Sequence, residues 1–175
     1  MILKIENFLS LKESDRLEKL LKSDQFPWYY QDGVAFKEDN KNKYFFNHNI
    51  YNQGRIVSDH WIMGEMLVNK IKKINQGQFK NLTIHRVKCN MFPKAHKKIK
   101  SLRHSDMSQK HITAIYYVNT NNGGTIIYDS KNKNHFIPSV KNNLVLFDGA
   151  YEHEAVFQTD TKVRLNININ LIDQD

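Results

Sequence analysis

The sequence contains a single cysteine, lacks long apolar runs and has fewer acidic than basic residues. Because Cys89 stands alone, an internal disulfide framework and zinc sites built on paired cysteines are excluded. No run approaches the roughly 18 apolar residues of a membrane span, and residues 1–6 lack the apolar core of a signal peptide. These absences predict a protein of a reducing compartment, the cytoplasm, without a membrane segment.

The length of 175 residues allows one substantial core, and composition does not change sharply along the chain. We therefore expect one domain over residues 1–175, with 1–81 as helical and extended support and 82–175 as the core. The formal charge of +8 favours anionic partners. Much of it lies in residues 94–103, which form either a basic rim of a site or a solvated, mobile loop.

Two helical patterns occupy the first half of the chain. Ser10 or Ser14 is a candidate cap for a helix ending near Leu21. A second helix is expected to begin near Ser58 and Asp59. Its apolar stripe consists of Trp61, Ile62, Met66, Leu67, Ile71 and Ile74. The apolar stripe of the first helix consists of Leu17, Leu20 and Leu21, and both stripes predict core packing.

The second half breaks into short β-rich runs separated by polar clusters. Strands are expected at residues 82–92, around His104, and at 112–119, 125–129, 135–138, 143–147, 152–157 and 163–172. Residues 26–30 and 43–46 also look extended, with a polar turn at 37–42 between them. The fold class predicted is mainly β with flanking helices: a jelly roll, or double-stranded β-helix, of two four-stranded sheets with the N-terminal helices on one outer face.

The last predicted strand alternates polar and apolar side chains. One face carries Lys162, Arg164, Asn166, Asn168 and Asn170, and the other is wholly apolar. Alone, this pattern favours a polar face in water. In a jelly roll that houses a metal, the polar face would instead point into the lumen and place Arg164 inside.

His104 and Asp106 lie two residues apart, so an extended chain directs both to one face, and His153 follows downstream. Two imidazoles and a carboxylate can occupy one face of an octahedral iron and leave the opposite positions open. A His-x-Asp pair is a weak signal by itself. The order of the motifs adds specificity: Gly123-Gly124-Thr125, Phe147-Asp148-Gly149, His153 and finally Arg164.

With this order of motifs, the second half resembles the iron(II)- and 2-oxoglutarate-dependent oxygenases of the prolyl 4-hydroxylase-like group, including small members carried by marine bacteriophages. The matching stretch runs from about Arg86 through Arg164, and its shared features include Arg103-His104-Ser105-Asp106 and Ala114-Ile115-Tyr116-Tyr117. The resemblance implies Fe(II), 2-oxoglutarate and O₂, with ascorbate as a further candidate cofactor. It also implies release of succinate and CO₂, and the host cytoplasm as location if the gene belongs to a phage.

The resemblance also implies residue roles. His104, Asp106 and His153 would be the catalytic metal ligands, and Arg164 would bind the distal carboxylate of 2-oxoglutarate. A guanidinium suits that role because it can hold a carboxylate through two hydrogen bonds. Tyr117 either donates to the same carboxylate or packs in the core. Asn166 and Thr125 complete the expected 2-oxoglutarate-binding set.

The substrate is expected to be a protein residue or a small molecule. Phe92 stands where relatives that hydroxylate peptidyl proline often carry a tyrosine, which makes that substrate uncertain. A nucleic-acid dealkylase similar to AlkB is an alternative, because Arg164 and Asn166 match its motif although Asn170 replaces the second arginine. A jelly-roll binding module without activity is another alternative.

Overall fold

The computed structural model describes residues 1–34, 43–74 and 82–173, so the polar turn predicted at 37–42 lies outside the described residues. In chain order the elements are β1 (Ile2–Ile5), α1 (Leu11–Leu21), β2 (Tyr29–Asp32), β3 (Tyr44–Asn52), β4 (Arg55–Ile56), α2 (Trp61–Ile74), β5 (Leu82–Pro93), β6 (Ile112–Tyr117), β7 (Gly124–Tyr128), β8 (Asn134–Pro138), β9 (Asn143–Asp148), β10 (His153–Val156) and β11 (Val163–Asp173). The predicted mainly-β fold with flanking helices is confirmed.

The strands form two antiparallel sheets of unequal size. The large sheet has eight strands in the order β1-β9-β6-β11-β5-β3-β2, with β4 paired to β3. The small sheet has three strands in the order β10-β7-β8. The expectation of two four-stranded sheets is wrong, because β1 to β4 join the large sheet. A regular strand is also absent around His104, where the described chain forms only isolated bridges from Lys100 and His104 to β10.

The alternation of β11 separates two environments. Leu165, Ile167, Ile169 and Leu171 are fully buried in one apolar core together with side chains of α1 and α2. The helices therefore cover the outer face of the large sheet, as predicted. The opposite face of β11 carries Arg164 and Asn166 into the space between the sheets, which confirms the lumenal orientation of these residues.

Helix α1 begins at a capping box. Ser10 is the cap, since its Oγ accepts a hydrogen bond from the Glu13 backbone N–H and the Glu13 carboxylate accepts one from the Ser10 backbone N–H. Ser14, the other candidate cap, is buried and accepts a hydrogen bond from the Tyr116 hydroxyl. Lys70 of α2 pairs with Glu13 over 2.8 Å and ties the two helices together.

Helix α2 is rotated relative to the stripe predicted for it. Ile62 is 78% exposed, although the stripe placed it in the core. The buried face instead runs through Met63, Gly64, Leu67, Val68 and Ile71. Gly64 allows this close packing, because a Cβ there would lie 3.2 Å from a methyl group of Ile50. Within the described part of the chain, neither helix has the length and apolarity to cross a membrane.

Candidate metal centre

His104 and His153 are brought together by backbone pairing at the edge of the small sheet. The His104 N–H donates to the His153 carbonyl over 3.1 Å, and the His153 N–H donates back over 2.8 Å. This bridge sets the two ring centroids 4.5 Å apart. A single antiparallel bridge therefore explains how two histidines from distant parts of the sequence meet.

Asp106 turns from this edge towards the large sheet. Its Oδ1 accepts a hydrogen bond from Arg86 over 2.8 Å, and its Oδ2 accepts from Asn170 over 2.9 Å and Asn168 over 3.1 Å. This turn accounts for the lack of a regular strand after His104. Burial by itself would raise the pKa of Asp106, but nearby His153, Arg86 and Lys88 hold that pKa well below its ordinary range. Asp106 is therefore an anion.

Both histidines are suited to donate a neutral nitrogen to a metal. Nδ1 of His104 lies 3.0 Å from the Leu102 carbonyl, and donation to that oxygen leaves Nε2 as the unprotonated nitrogen. Burial lowers the pKa of His153 to about 4, against the attraction of Asp106. The His153 imidazole is therefore neutral at physiological pH and has a lone pair to offer a metal.

The three predicted ligands converge. One ligand atom each from His104, Asp106 and His153 lie within 4.8 Å of one another. Two neutral imidazoles and one carboxylate form a donor set that would fit Fe(II) and would leave coordination positions for other ligands. The residues present therefore fit the metal that the sequence motifs imply.

Arg164 lies in the same lumen without a charge partner. It is 1% exposed, its guanidinium lies 4.5 Å from the centroid of the Phe92 ring, and Nη1 donates to the Val156 carbonyl over 3.4 Å. Its Nε makes no hydrogen bond, and no carboxylate in the described chain pairs with it. Burial lowers the pKa of Arg164 to about 10, so it remains a cation at neutral pH. A buried cation of this kind calls for an anionic ligand.

His153 and Arg164 lie on strands of different sheets. His153 begins β10 in the small sheet, and Arg164 lies on β11 in the large sheet. Both line one cavity, so they face each other across the lumen. The metal site and the guanidinium of Arg164 are therefore separated by the width of the lumen. On adjacent strands the two groups would lie side by side.

The remaining predicted residues lie around Arg164. Asn166 and Thr125 line the cavity from opposite sheets, and Asn166 accepts a hydrogen bond from Asn90 over 2.9 Å. The Tyr117 hydroxyl donates to Oγ1 of Thr125 over 2.9 Å. Burial raises the pKa of Tyr117 to about 12, so its hydroxyl stays a neutral donor. Direct contact between Tyr117 and a co-substrate stays a prediction.

Four residues of β5 and β11 that touch or surround Asp106 were missed as site residues: Arg86, Lys88, Asn168 and Asn170. On β5, residues 86, 88, 90 and 92 alternate towards the lumen, and Asn90 and Phe92 line the same cavity. Period two in this strand groups these residues on one face, and the pairing of β5 with β11 shows that this face is the lumenal one. Arg86 also donates from Nε to Asn170 over 2.9 Å, so a guanidinium from β5 stands beside the asparagine that replaces the second arginine of the AlkB-like motif.

The two glutamates that flank His153 and the histidines outside the triad do not contribute to the site. Glu152 and Glu154 pair with Arg103 and Lys100 and do not line the cavity. The remaining histidines are also outside the cavity lining: His48, His60, His85, His96, His111 and His135. His48, for example, bridges the Pro27 carbonyl and the Ser58 hydroxyl.

The chain is similar in fold to solved structures of 2OG-Fe(II) oxygenases. A 2OG-Fe(II) oxygenase family protein from Burkholderia pseudomallei superposes with a TM-score of 0.78 at 10% identity, covering 99% of this chain and 86% of its own. The fold is that of the 2OG-Fe(II) oxygenases. A Pseudomonas putida prolyl-4-hydroxylase gives 0.67 at 17% identity, covering 99% of this chain and 93% of its own. The viral collagen prolyl hydroxylase of Paramecium Bursaria Chlorella virus-1, a 2OG complex, gives 0.62 at 12% identity over 97% and 94%. No protein-family model and no curated protein sequence matches the chain.

Proposed function

We propose that this protein is an Fe(II)- and 2-oxoglutarate-dependent oxygenase that hydroxylates a small molecule or a protein residue. The observation that carries the proposal is one cavity that holds both the convergent His104, Asp106 and His153 and the unpaired guanidinium of Arg164. The fold shared with 2OG-Fe(II) oxygenases supports it, as does the 2-oxoglutarate complex of the viral prolyl hydroxylase.

When bound, ferrous iron supplies the oxygen chemistry: 2-oxoglutarate, O₂ and a substrate C–H group give succinate, CO₂ and C–OH. His104, Asp106 and His153 hold the metal, and Arg86 with Asn170 fixes the carboxylate of Asp106. These residues set the orientation in which the reacting groups meet.

Arg164 and the apolar wall define the rest of the site. The guanidinium of Arg164 would receive the distal carboxylate of 2-oxoglutarate. Phe45, Ile115 and Ala155 also line the cavity, and these apolar side chains would limit the access of water to the reacting groups. Thr125, held by Tyr117, offers a hydroxyl oxygen on the opposite wall.

The test is a visible absorption band that forms when anaerobic protein receives Fe(II) and then 2-oxoglutarate. We expect the band and slow succinate release under air in the unmodified protein, and neither in His104→Ala. Ser105→Ala is the matched control, because the exposed Ser105 points away from the cavity and should retain both. A protein that binds Fe(II) but gives no band with 2-oxoglutarate would refute the proposal.

A second candidate is oxidative dealkylation of nucleic acid. The exposed Lys94, Lys97 and Lys98 favour it, because they form no ion pair within the described chain and can attract a polyanion. This function predicts a salt-sensitive affinity for single-stranded DNA and turnover of methylated bases. If neither the DNA affinity nor the turnover of methylated bases is found, the hydroxylase function remains the proposal.

A further inference from the structure

Lys88 differs from the other lumen-facing side chains of β5. The others are engaged with the lumen wall: Arg86 with Asp106, Asn90 with Asn166, and Phe92 beneath Arg164. Lys88 lines the same cavity, yet its ammonium contacts the Phe45 ring, 5.8 Å from Nζ to centroid. Its side chain is therefore directed into the lumen without a polar anchor.

Neighbouring acceptors do not take up the ammonium. Asn168 lies directly opposite Lys88 in the strand register, but Oδ1 of Asn168 is buried without a hydrogen bond, as is Oδ1 of Asn90. Among the described residues, Lys88 makes no hydrogen bond and no ion pair. A partly buried ammonium in this state lacks the compensation that buried charges normally have.

Asp106 cannot provide that compensation. It is the one acidic residue among the described side chains that line the cavity, and its oxygens already accept hydrogen bonds from Arg86, Asn168 and Asn170. A metal ion would take up its remaining capacity. The attraction between Asp106 and Lys88 therefore weakens when the metal site is filled.

In the proposed site with metal and 2-oxoglutarate bound, the positive charge of Lys88 has no matching negative charge. Fe(II) and the dianion of 2-oxoglutarate cancel each other, and Arg86 cancels Asp106. Arg164 would contact the distal carboxylate of 2-oxoglutarate. The charge of that carboxylate is already counted in the dianion, so it does not also balance Lys88. The lumen of the loaded protein would then carry uncompensated positive charge, and Lys88 is the cation without any acceptor.

We infer that Lys88 binds a carboxylate of the substrate beside the metal centre, so that the substrate is a small carboxylic acid. This inference rests on the proposed function and names its substrate class. The carboxylate would replace the missing counterion of Lys88 through a charge-assisted hydrogen bond.

The position of Lys88 favours a small acid over a polymer. Its side chain lines the same cavity as His104, Asp106 and His153, so a carboxylate bound to its ammonium would share the lumen with the metal centre. A carboxylate held there and the C–H group facing the metal must belong to one short carbon skeleton. A nucleic acid would present a base at this depth and keep its phosphates outside.

The mouth of the lumen also suits an anion. Ala95 and Ile99 pack against the cluster of Phe45, Phe92, Ala155 and Phe157, three members of which line the cavity. The segment between them exposes Lys97 and Lys98. These lysines raise the local concentration of anions without forming the binding contact.

The test uses isobutyrate and isobutyramide as probes, because they match in shape and differ in charge. The protein is loaded with Mn(II) and 2-oxoglutarate, and the paramagnetic relaxation of the probe methyl protons is compared with that in a Zn(II)-loaded sample. We expect isobutyrate to bind about tenfold more tightly than isobutyramide, as a charge-assisted hydrogen bond predicts. Lys88→Met should abolish that preference, and the exposed-charge control Lys98→Met should keep it.

Three outcomes would overturn the inference. Equal binding of acid and amide would show that charge is not recognised. Weaker binding of 2-oxoglutarate to Lys88→Met, with isobutyrate unaffected, would assign Lys88 to the co-substrate. Displacement of isobutyrate by a short single-stranded oligonucleotide, in a manner sensitive to Lys98→Met, would assign the lumen to nucleic acid.

Metal-free protein separates this inference from the proposed function. If the unmodified protein fails to bind Mn(II), the metal centre is refuted by that result alone. The ε-methylene signals of Lys88 in lysine-labelled protein, assigned by their loss in Lys88→Met, should still shift with isobutyrate and not with isobutyramide. No shift with either probe would overturn the carboxylate site.

Discussion

Arg86 donates from its Nη to Oδ1 of Asp106 over 2.8 Å, across 20 residues of sequence. The pair is largely buried, with side-chain exposures of 20% and 5%. Asn170, which accepts from Nε of the same guanidinium, donates to the second oxygen of Asp106. The carboxylate is therefore fixed at both oxygens before a metal binds.

Removing this support should weaken metal binding. In Arg86→Met, Asp106 keeps the two asparagine donors but loses its cationic partner and is free to rotate. We expect the affinity for Mn(II) to fall by about 10- to 100-fold, the usual effect of losing a partner that orients a metal ligand. Titration calorimetry measures this change.

Arg86→Lys is the matched variant, because it restores the charge without the fork that reaches both Asp106 and Asn170. It should recover part of the affinity. Wild-type affinity in Arg86→Met would contradict the assigned role.

Arg164 should lower the stability of the ligand-free folded protein, although it contributes to ligand binding. Its buried guanidinium has no carboxylate partner in the described chain, so an apolar side chain of similar length removes an uncompensated charge. Arg164→Met should therefore unfold at equal or higher urea concentration than the unmodified protein when no ligand is present.

The same variant should lose stabilisation by 2-oxoglutarate. At a ligand concentration of 100 times Kd, binding stabilises the unmodified protein by about 2.7 kcal/mol, and Arg164→Met should gain almost none. Thermal melts with and without 2-oxoglutarate, in the presence of Mn(II), measure both effects. Succinate is the control ligand, since it has the distal carboxylate but lacks the keto group. Equal stabilisation of both proteins by 2-oxoglutarate would show that another residue binds the distal carboxylate.

The features of the site that depend on the alternation of side chains along a strand could be predicted from the sequence. The polar face of residues 162–170, taken together with the metal motif, predicted the lumenal position of Arg164, and the spacing of His104 and Asp106 predicted a common direction. Each prediction depends on neighbours one or two residues away. Their convergence with His153 came from the order of motifs and is confirmed by the geometry.

The parts that depend on long-range pairing were not accessible. Strand β1 has four residues and acquires its strand partner from β9, near the other end of the chain. Lys88 and Arg86 became interpretable as site residues once β5 was known to lie beside β11. The register of α2 was missed for a related reason: Ile62 and Met63 are both apolar, and tertiary packing selects Met63.

Gly124 should tolerate no side chain. A Cβ at this position would lie 2.3 Å from the Ile137 carbonyl oxygen and 2.9 Å from the Phe136 ring. Because the obstacle includes backbone of the paired strand β8, Gly124→Ala should destabilise the protein by about 2 kcal/mol. Urea unfolding measures the loss.

Gly54→Ala separates this clash from backbone strain. Gly54 has φ +83, but a Cβ at this position would meet no atom within 4 Å, so the cost should be about 1 kcal/mol. Gly124→Ala should also lower 2-oxoglutarate affinity through the adjacent Thr125, whereas Gly54→Ala should not. A larger loss of stability in Gly54→Ala would contradict the packing argument.

The capping box of α1 should make stability depend on pH in the acid range. Hydrogen bonds from Lys70 and Ser10 lower the pKa of Glu13 from 4.5 to about 2. A carboxyl group with a lowered pKa in the folded state stabilises the protein fully above its unfolded pKa, and this contribution is lost as the pH falls through the folded pKa. Glu13→Gln should therefore unfold at lower urea concentration than the unmodified protein at about pH 6, and the difference should shrink between pH 4.5 and pH 2. Lys70→Met removes the ion pair and keeps the cap. Its stability should therefore differ less from that of the unmodified protein than the stability of Glu13→Gln does over the same pH range. If the stability difference between Glu13→Gln and the unmodified protein did not change with pH, the effect would come from altered packing and not from the lost charge of Glu13.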